Sequence, residues 1–293
     1  MLSNNNTIVL GKNGNLAKSL QALNGNFTYI GHDQINLLDI NNIQKNLSIY
    51  NPKIIINTSA FRKVDLAETC KEEANVLNHL AVKEIAKYCE ENDATLIHIS
   101  TDYVFDGKSQ IPYVETDPVN PINIYGISKL KGEEAIQNNL KKHIIIRSSW
   151  FFNAIQGCQN YFFLMLNFMK KDKEFKAIND QLGNPTYTPE LAKAICKIIN
   201  KLDNYGIYHY SGKDYVTWLE VANKIHEFAI KNNVELKCNK IIPISTKDMN
   251  QTAIRPLFTA LNCSKIEQDY EIQTVPFTNS LNECFKKYIT ENV

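Results

Sequence analysis

Apolar and polar positions along this chain follow two rhythms that take turns. Residues 7–10 form a short apolar run that reads as a strand, and residues 15–23 then carry Leu16, Leu20 and Leu23 at helical spacing. A second strand is predicted over 27–30, a short helix over 41–50, and a strand at Ile54-Ile55-Ile56 that is too uniformly apolar to be half exposed. A long amphipathic helix over 72–91, a strand over 95–99, a helix over 125–139 and a strand over 143–147 continue the series. This βαβα order implies a parallel sheet with helices on both faces, an α/β doubly wound fold. After Trp150 the rhythm loosens. Helices are predicted over 161–170, 189–202, 218–230 and 280–289, with short strands near 175–178, 207–210 and 240–244. The division that follows is a dinucleotide-binding domain over 1–150 and, over 151–293, mainly a smaller substrate-binding lobe with some segments returning to the first domain.

Composition narrows the classes. Basic and acidic residues number 32 and 31, so the net charge of +1 gives no electrostatic reason to expect nucleic acid or a membrane surface as partner. The seven cysteines include no C-x-x-C pair, which predicts reduced thiols, no zinc site and a cytoplasmic setting. Met1 to Thr7 shows no basic region followed by an apolar stretch, so no signal peptide is expected. No apolar run approaches the ~18 residues of a membrane span.

The first strand runs into Gly11-Lys12-Asn13-Gly14-Asn15-Leu16-Ala17. Gly11 permits a tight turn, and Gly14 lets the backbone approach a pyrophosphate resting on the positive end of the first helix. The spacing is G-x-x-G-x-x-A rather than G-x-G-x-x-G, and its place in a βαβ unit carries the reading. At the end of the second strand stands Gly31-His32-Asp33-Gln34. Asp33 suits a ribose 2′-hydroxyl and hence NADH, whereas His32 or Lys12 suits a 2′-phosphate and hence NADPH. The cofactor is therefore read as NADPH or NADH, with NADPH slightly favoured.

Tyr125-Gly126-Ile127-Ser128-Lys129 places a phenol and an ammonium four residues apart on one helix face. A tyrosine, with its ordinary pKa of ~10, exchanges protons poorly at neutral pH. The spacing predicts that Lys129 lowers that value and also holds the nicotinamide ribose. Thr101 follows a predicted strand, where α/β sites gather, and is placed to donate a hydrogen bond to a substrate carbonyl; Asp102 is placed to accept one from a sugar hydroxyl.

Taken in order, G-x-x-G-x-x-A, the run Ser100 to Gly107 (STDYVFDG), Y-x-x-x-K, Arg147-Ser148-Ser149-Trp150, the run Asn179 to Thr186 (NDQLGNPT) and Ala253-Ile254-Arg255-Pro256 resemble the dTDP-4-dehydrorhamnose reductase family of extended short-chain dehydrogenases over essentially the whole chain. The resemblance implies a Rossmann domain with a small C-terminal substrate lobe. It implies reduction of the C4 ketone of a dTDP-linked 6-deoxy-4-keto-hexose to dTDP-L-rhamnose. It assigns catalysis to Thr101, Tyr125 and Lys129. Thr58, Ser59 and Ala60 would line the cofactor, Asp39 and Ile40 would flank the adenine, and Asn78 would stand at the cofactor's far side. Asp102, Tyr103 and Trp150 would contact the sugar, and Arg255 would reach the diphosphate. The chain departs from the family at Thr58 and Ser59, where small residues are usual, and at Arg62 and Lys63. Ser19 stands where some relatives carry a metal-binding acid, so no metal is expected; a homodimer stays open. Two other readings are a ketoreductase for a UDP- or GDP-linked sugar and a non-catalytic regulatory subunit on the same fold, as in the methionine adenosyltransferase regulatory subunit.

Overall fold

The structure, a computed structural model, describes residues 6–23 and 26–292. The expectation drawn from Met1 to Thr7 lies largely outside them.

Six strands form the central sheet: β1 (Thr7–Leu10), β2 (Thr28–Ile30), β3 (Ile54–Asn57), β4 (Thr95–Thr101), β5 (His143–Ser148) and β6 (Gly206–His209). Their order is β6-β5-β4-β3-β1-β2, and every neighbouring pair is parallel. The alternation of side chains sorts the core onto two faces. Val9, Ile54 and Ile56 point to one face and meet Leu16 and Leu20 of helix α1 (Asn15–Ala22). Ile8, Leu10 and Ile55 point to the other and meet Leu47 of α2 (Ile43–Tyr50) and Val82 and Ile85 of α3 (Ala81–Glu91). Both faces are dry, which is why these strands read as unbroken apolar runs. Helix α4 (Ile124–Asn139) packs on this second face through Ile136.

The long helix expected over 72–91 is interrupted. Lys71–Asn75 is α-helical, Val76–Leu80 is one π-helical turn, and α3 follows directly. Asn78, fully buried, sits in the widened turn and is committed to the backbone of Phe61. Such single-turn bulges frequently place a functional side chain.

Beyond Trp150 a separate apolar cluster joins Phe162, Leu166 and Met169 of α5 (Tyr161–Lys171), Val221, Ile225 and Phe228 of α7 (Trp218–Lys231) and Leu281 and Phe285 of α8 (Phe277–Asn292). Other late segments rejoin the sheet. Leu191, Ile195 and Ile198 of α6 (Thr188–Asn200), Tyr208 of β6 and Ile266 of the helix Ser264–Tyr270 pack on the same face as α1. Four two-residue strands, Phe151–Phe152 with Thr186–Tyr187 and Leu182–Gly183 with Val216–Thr217, tie the two cores together. Pieces this short carry no periodic signal, so the sequence reading passed over them, as it did Ser264–Tyr270.

Candidate active site

β2 lies to one side of β1 and β3 to the other, so the carboxyl ends of β1 and β3 flank the crevice where connections depart in opposite directions, the usual ligand position in such sheets. Leu10 is in register with Asn57, which brings the turn after β1 beside the loop after β3. Gly11 has φ +90°, and a Cβ there would lie 2.7 Å from Ser59 Oγ; only glycine takes that conformation and that proximity without strain. The Thr58 hydroxyl donates to the Leu10 carbonyl at 2.7 Å and fastens the two turns together. Helix α1 starts after Gly14, which offers no side-chain cap, so its positive end is left to the crevice.

Two cavities, of about 460 and 310 Å³, share Asn13, Gly14, Thr58, Ala60 and Arg62 and form one groove along this edge. The smaller is walled by Gly11, Lys12, His32 and Ser59, with Ile35, Leu37 and Leu77 as an apolar floor suited to a planar base. The larger gathers Asn15, Leu16, Thr101, Asp102, Tyr125, Lys129 and Trp150. A glycine-walled turn, an uncapped helix end and an apolar slot form a cradle that fits a dinucleotide.

At the base-binding end the structure corrects one expectation. Asp39 and Ile40 do not line the groove: exposed Asp39 accepts from Asn42 at 2.8 Å, and Ile40 packs against the core beneath α2. Chain geometry explains it, because Ile35 and Leu37 come first out of β2 and occupy the slot. Lys12 reaches across to Asp33 at 3.2 Å and to Gln34 at 3.3 Å, so the two candidate selectors of the 2′ group are paired with each other. Lys12 and His32 face the smaller cavity, while Asp33 is outside its wall.

The catalytic end is built on α4. Asn123 caps it by accepting from the Gly126 N–H at 2.8 Å, which sets Tyr125 in the first turn. A Cβ on Gly126 would lie 2.2 Å from the Tyr103 carbonyl, so this glycine lets α4 close on the end of β4. There the Tyr125 ring meets the Tyr103 ring edge-on at 5.9 Å. Thr101 pairs in register with Ser148, and its hydroxyl donates to Asp102 at 3.0 Å. Burial pushes the Asp102 carboxyl up to about 7, against the hydrogen bonds it accepts. Burial likewise pushes the Tyr125 phenol up to about 12, opposed by the Thr101 hydroxyl and the charge of Arg62.

The expected pairing of Lys129 with Tyr125 is therefore not made. Both line the cavity, but the lysine stem runs down against β4, where Nζ donates to the Ile99 carbonyl at 2.7 Å and lies 3.1 Å from His98 Nε2. The spacing puts both residues on one face of α4; that face abuts the sheet, and a buried amine takes the hydrogen-bond partners that the strand offers. Burial brings Lys129 down to about 8, with Glu133 acting in the opposite direction.

Three further residues stand apart from their expected roles. Asn78 lies beneath the groove: its amide accepts from the Phe61 N–H, donates to the Phe61 carbonyl and donates to Ser128 Oγ, so it braces the loop carrying Thr58 to Ala60. Arg255 is outside both cavities and is bound to Asp65 at 2.5 Å, with its guanidinium over the Tyr103 ring. Tyr103 also falls outside the groove wall, its hydroxyl pushed up by burial. Trp150 does face the larger cavity. Its backbone is left-handed at φ 44°, and its indole stacks on Trp218 at 3.6 Å. Arg62, a departure from the family expected to alter the sugar or nucleotide site, stands on the groove wall. It lines both cavities, and its exposed charge at the end of a loop of small residues is the signal that marks it. His98 lies inside β4 and is fully buried, a place where the sequence pattern alone marks no site.

The RmlD substrate binding domain family matches residues 5–290 of this chain. The chain is 35% identical to the dTDP-4-dehydrorhamnose reductase of Escherichia coli K12, over 96% of this chain and 98% of that one. It belongs to the dTDP-4-dehydrorhamnose reductase family. It is also 34% identical to the spore coat polysaccharide biosynthesis protein SpsK of Bacillus subtilis, over 80% of this chain and 79% of that one. Among solved structures, it is similar to a dTDP-4-dehydrorhamnose reductase from Bacillus anthracis in complex with NADP, with a TM-score of 0.89, 30% identity, and coverage of 97% and 99%. Ser19 is buried and hydrogen-bonded to Thr188 at 2.7 Å. Among the described residues no cluster of three His, Cys, Asp or Glu side chains is placed to hold a metal, and no helix is long and apolar enough to cross a membrane.

Proposed function

We propose that this protein reduces the C4 ketone of a nucleotide-linked 6-deoxy-4-keto-hexose, converting dTDP-4-dehydro-L-rhamnose to dTDP-L-rhamnose with NADPH or NADH. The observation that carries the reading is the convergence of Thr101, Tyr125 and Lys129 on one cavity continuous with the glycine-turn cradle. The dinucleotide, when bound, supplies hydride to the keto carbon. The turn from Gly11 to Leu16 and the loop from Thr58 to Ala60 hold it, with Asn78 bracing that loop from below. As negative charge grows on the sugar oxygen, Tyr125 gives that oxygen a proton and Thr101 donates a hydrogen bond to it. A phenol that burial holds firmly protonated suits a general acid that must keep its proton until that charge develops. Lys129 is the cation available to the nicotinamide ribose from the groove floor. Trp150 and Asp102 present an aromatic face and a buried carboxyl to the sugar. Lys12 and His32 at the base-binding end support the slight preference for NADPH. The protein would work in the cytoplasm on a soluble sugar nucleotide, with a homodimer open.

The test is cofactor oxidation over a panel of dTDP-, UDP- and GDP-linked 4-keto-6-deoxy sugars, with NADPH and NADH in parallel. Turnover highest with the dTDP-linked sugar is expected. NADPH that binds but is not oxidised by any member of the panel would move the protein to the non-catalytic reading.

A further inference from the structure

Beneath the groove floor a buried file of polar side chains ends on Lys129. Asn57 closes β3, and His98 lies beside it in register on β4; they are 1% and 0% exposed. The Ser59 N–H donates to Asn57 Oδ1 at 3.1 Å. Because a backbone N–H can only donate, this bond fixes which way the Asn57 amide faces. Asn57 Nδ2 is then the atom 3.1 Å from His98 Nδ1, and it too can only donate. His98 Nδ1 is therefore an acceptor, and the neutral ring carries its hydrogen on Nε2. That N–H points at Lys129 Nζ, 3.1 Å away. An ammonium has no lone pair to receive it.

We infer that Asn57 and His98 form a tautomer-setting relay that holds Lys129 as an uncharged amine in the ligand-free groove at mildly alkaline pH, donating to the Ile99 carbonyl and accepting from His98 Nε2–H. His98 is thus a positioning residue for Lys129, a role that rests on the proposed reading only in taking Lys129 as the lysine of the reaction. The other charged and titratable groups nearby do not undo the arrangement. Glu133, one turn along α4, favours the charged lysine, but it is held by Arg147 of β5 at 2.7 Å and by the Ser100 hydroxyl of β4 at 2.5 Å and makes no hydrogen bond to Nζ. Tyr125, one turn back, keeps its proton, as does His98 its neutrality, since burial holds the imidazole well below its ordinary range. Drawn off His98 toward cofactor hydroxyls, which can accept from it, the amine no longer has to receive the Nε2–H and takes up a proton from solvent. Cofactor binding is thereby coupled to protonation of the groove.

The experiment has two arms. In the first, ligand-free protein carrying ¹⁵N-labelled histidine is followed by two-bond ¹H–¹⁵N correlation from about pH 8.5 to 9.5, with His98 assigned by its loss in His98→Gln. A ring protonated on Nε2 alone is expected throughout. In Asn57→Asp the carboxylate accepts from Nδ1–H, so the tautomer should reverse. A parent ring protonated on Nδ1, or on both nitrogens, overturns the relay. In the second arm, NADPH binding is measured by calorimetry at pH ~9 in buffers of differing ionisation heat. The parent should take up about one proton per site, and Asn57→Asp and His98→Gln less than about half of one. Equal uptake by parent and variants also overturns it. The first arm needs no ligand. If NADPH fails to bind, the functional reading fails while the relay is still tested.

Discussion

At the β1 end of the groove the turn offered to the phosphates of a ligand is made by main chain, whereas at the β4 end the reacting surface is made by side chains. The turn from Gly11 to Gly14 needs absent side chains and a helix end with no cap. Thr101, Tyr125 and Lys129 need other residues, near and far in the chain, to set them. Asn123 and Gly126 set the tyrosine, His98 and Ile99 hold the lysine, and Glu133 with Arg147 and Ser100 props the same helix from behind. A backbone cradle tolerates much variety as long as nothing fills it. A side-chain site fails when any buried partner is removed, because an unmatched polar group in a dry interior costs more than the bond contributed.

The largest effect is expected at the β4 end. Tyr125→Phe should lower turnover by about two to four decades with cofactor and sugar nucleotide still binding, read by steady-state kinetics beside calorimetry. Near-parent turnover would remove the tyrosine as the acid. Adding Thr101→Ala should cost less than the product of the single losses, since both act on one oxygen.

Next is the support behind that end. Arg147 and Glu133 are 3% and 1% exposed, so Arg147→Met strands a buried carboxylate and should cost about 3–5 kcal/mol in urea unfolding. A loss below about 1 kcal/mol would mean that the pair is not the prop described.

The pH dependence separates the ends in a third way. Asp102 has its folded value near 7, above an unfolded value of ~3.9. Between the two the native state binds the extra proton, so stability should fall as pH rises from about 4 to about 7, by up to about 4 kcal/mol. Unfolding midpoints of Asp102→Asn should lack that decline. A parallel slope in parent and variant would show that the decline has another source.

The β1 end should respond more mildly in stability and more sharply in binding. Gly11→Ala puts a side chain at φ +90° and 2.7 Å from Ser59 Oγ, costing about 1–3 kcal/mol, and it should weaken NADPH affinity. Affinity equal to the parent's in a folded variant would move the dinucleotide elsewhere. The smallest change is expected from Arg255→Ala. Arg255 is engaged with Asp65 outside the groove, so calorimetry should find about 0–1 kcal/mol lost from sugar-nucleotide affinity. Trp150→Ala, facing the cavity, should lose more.

How far each end was legible follows from the same contrast. The order of strands and helices up to β5 was readable because β1, β3, β4 and β5 are buried almost throughout and leave apolar runs, while the helices bury one face and leave a helical period. The π-helical turn at Val76–Leu80 was not, because it arises from where Asn78 finds a partner in Phe61, 17 residues away. Nor were the two-residue strands beyond Trp150, which carry too few residues to hold any period.

The sequence by itself determined the glycine turn, the tyrosine and lysine on one helix face, and the threonine at a strand end, since each is a local matter of spacing and backbone freedom. Tertiary structure alone decided what those groups touch. Asp39 and Ile40 turn away from the groove, Arg255 pairs with Asp65, Arg62 comes to face both cavities, and Lys129 binds His98 and Ile99 instead of approaching Tyr125. The reason is physical. A buried polar atom takes whichever partner the packed sheet and helices bring within about 3 Å, and sequence separation does not reveal which partner that will be.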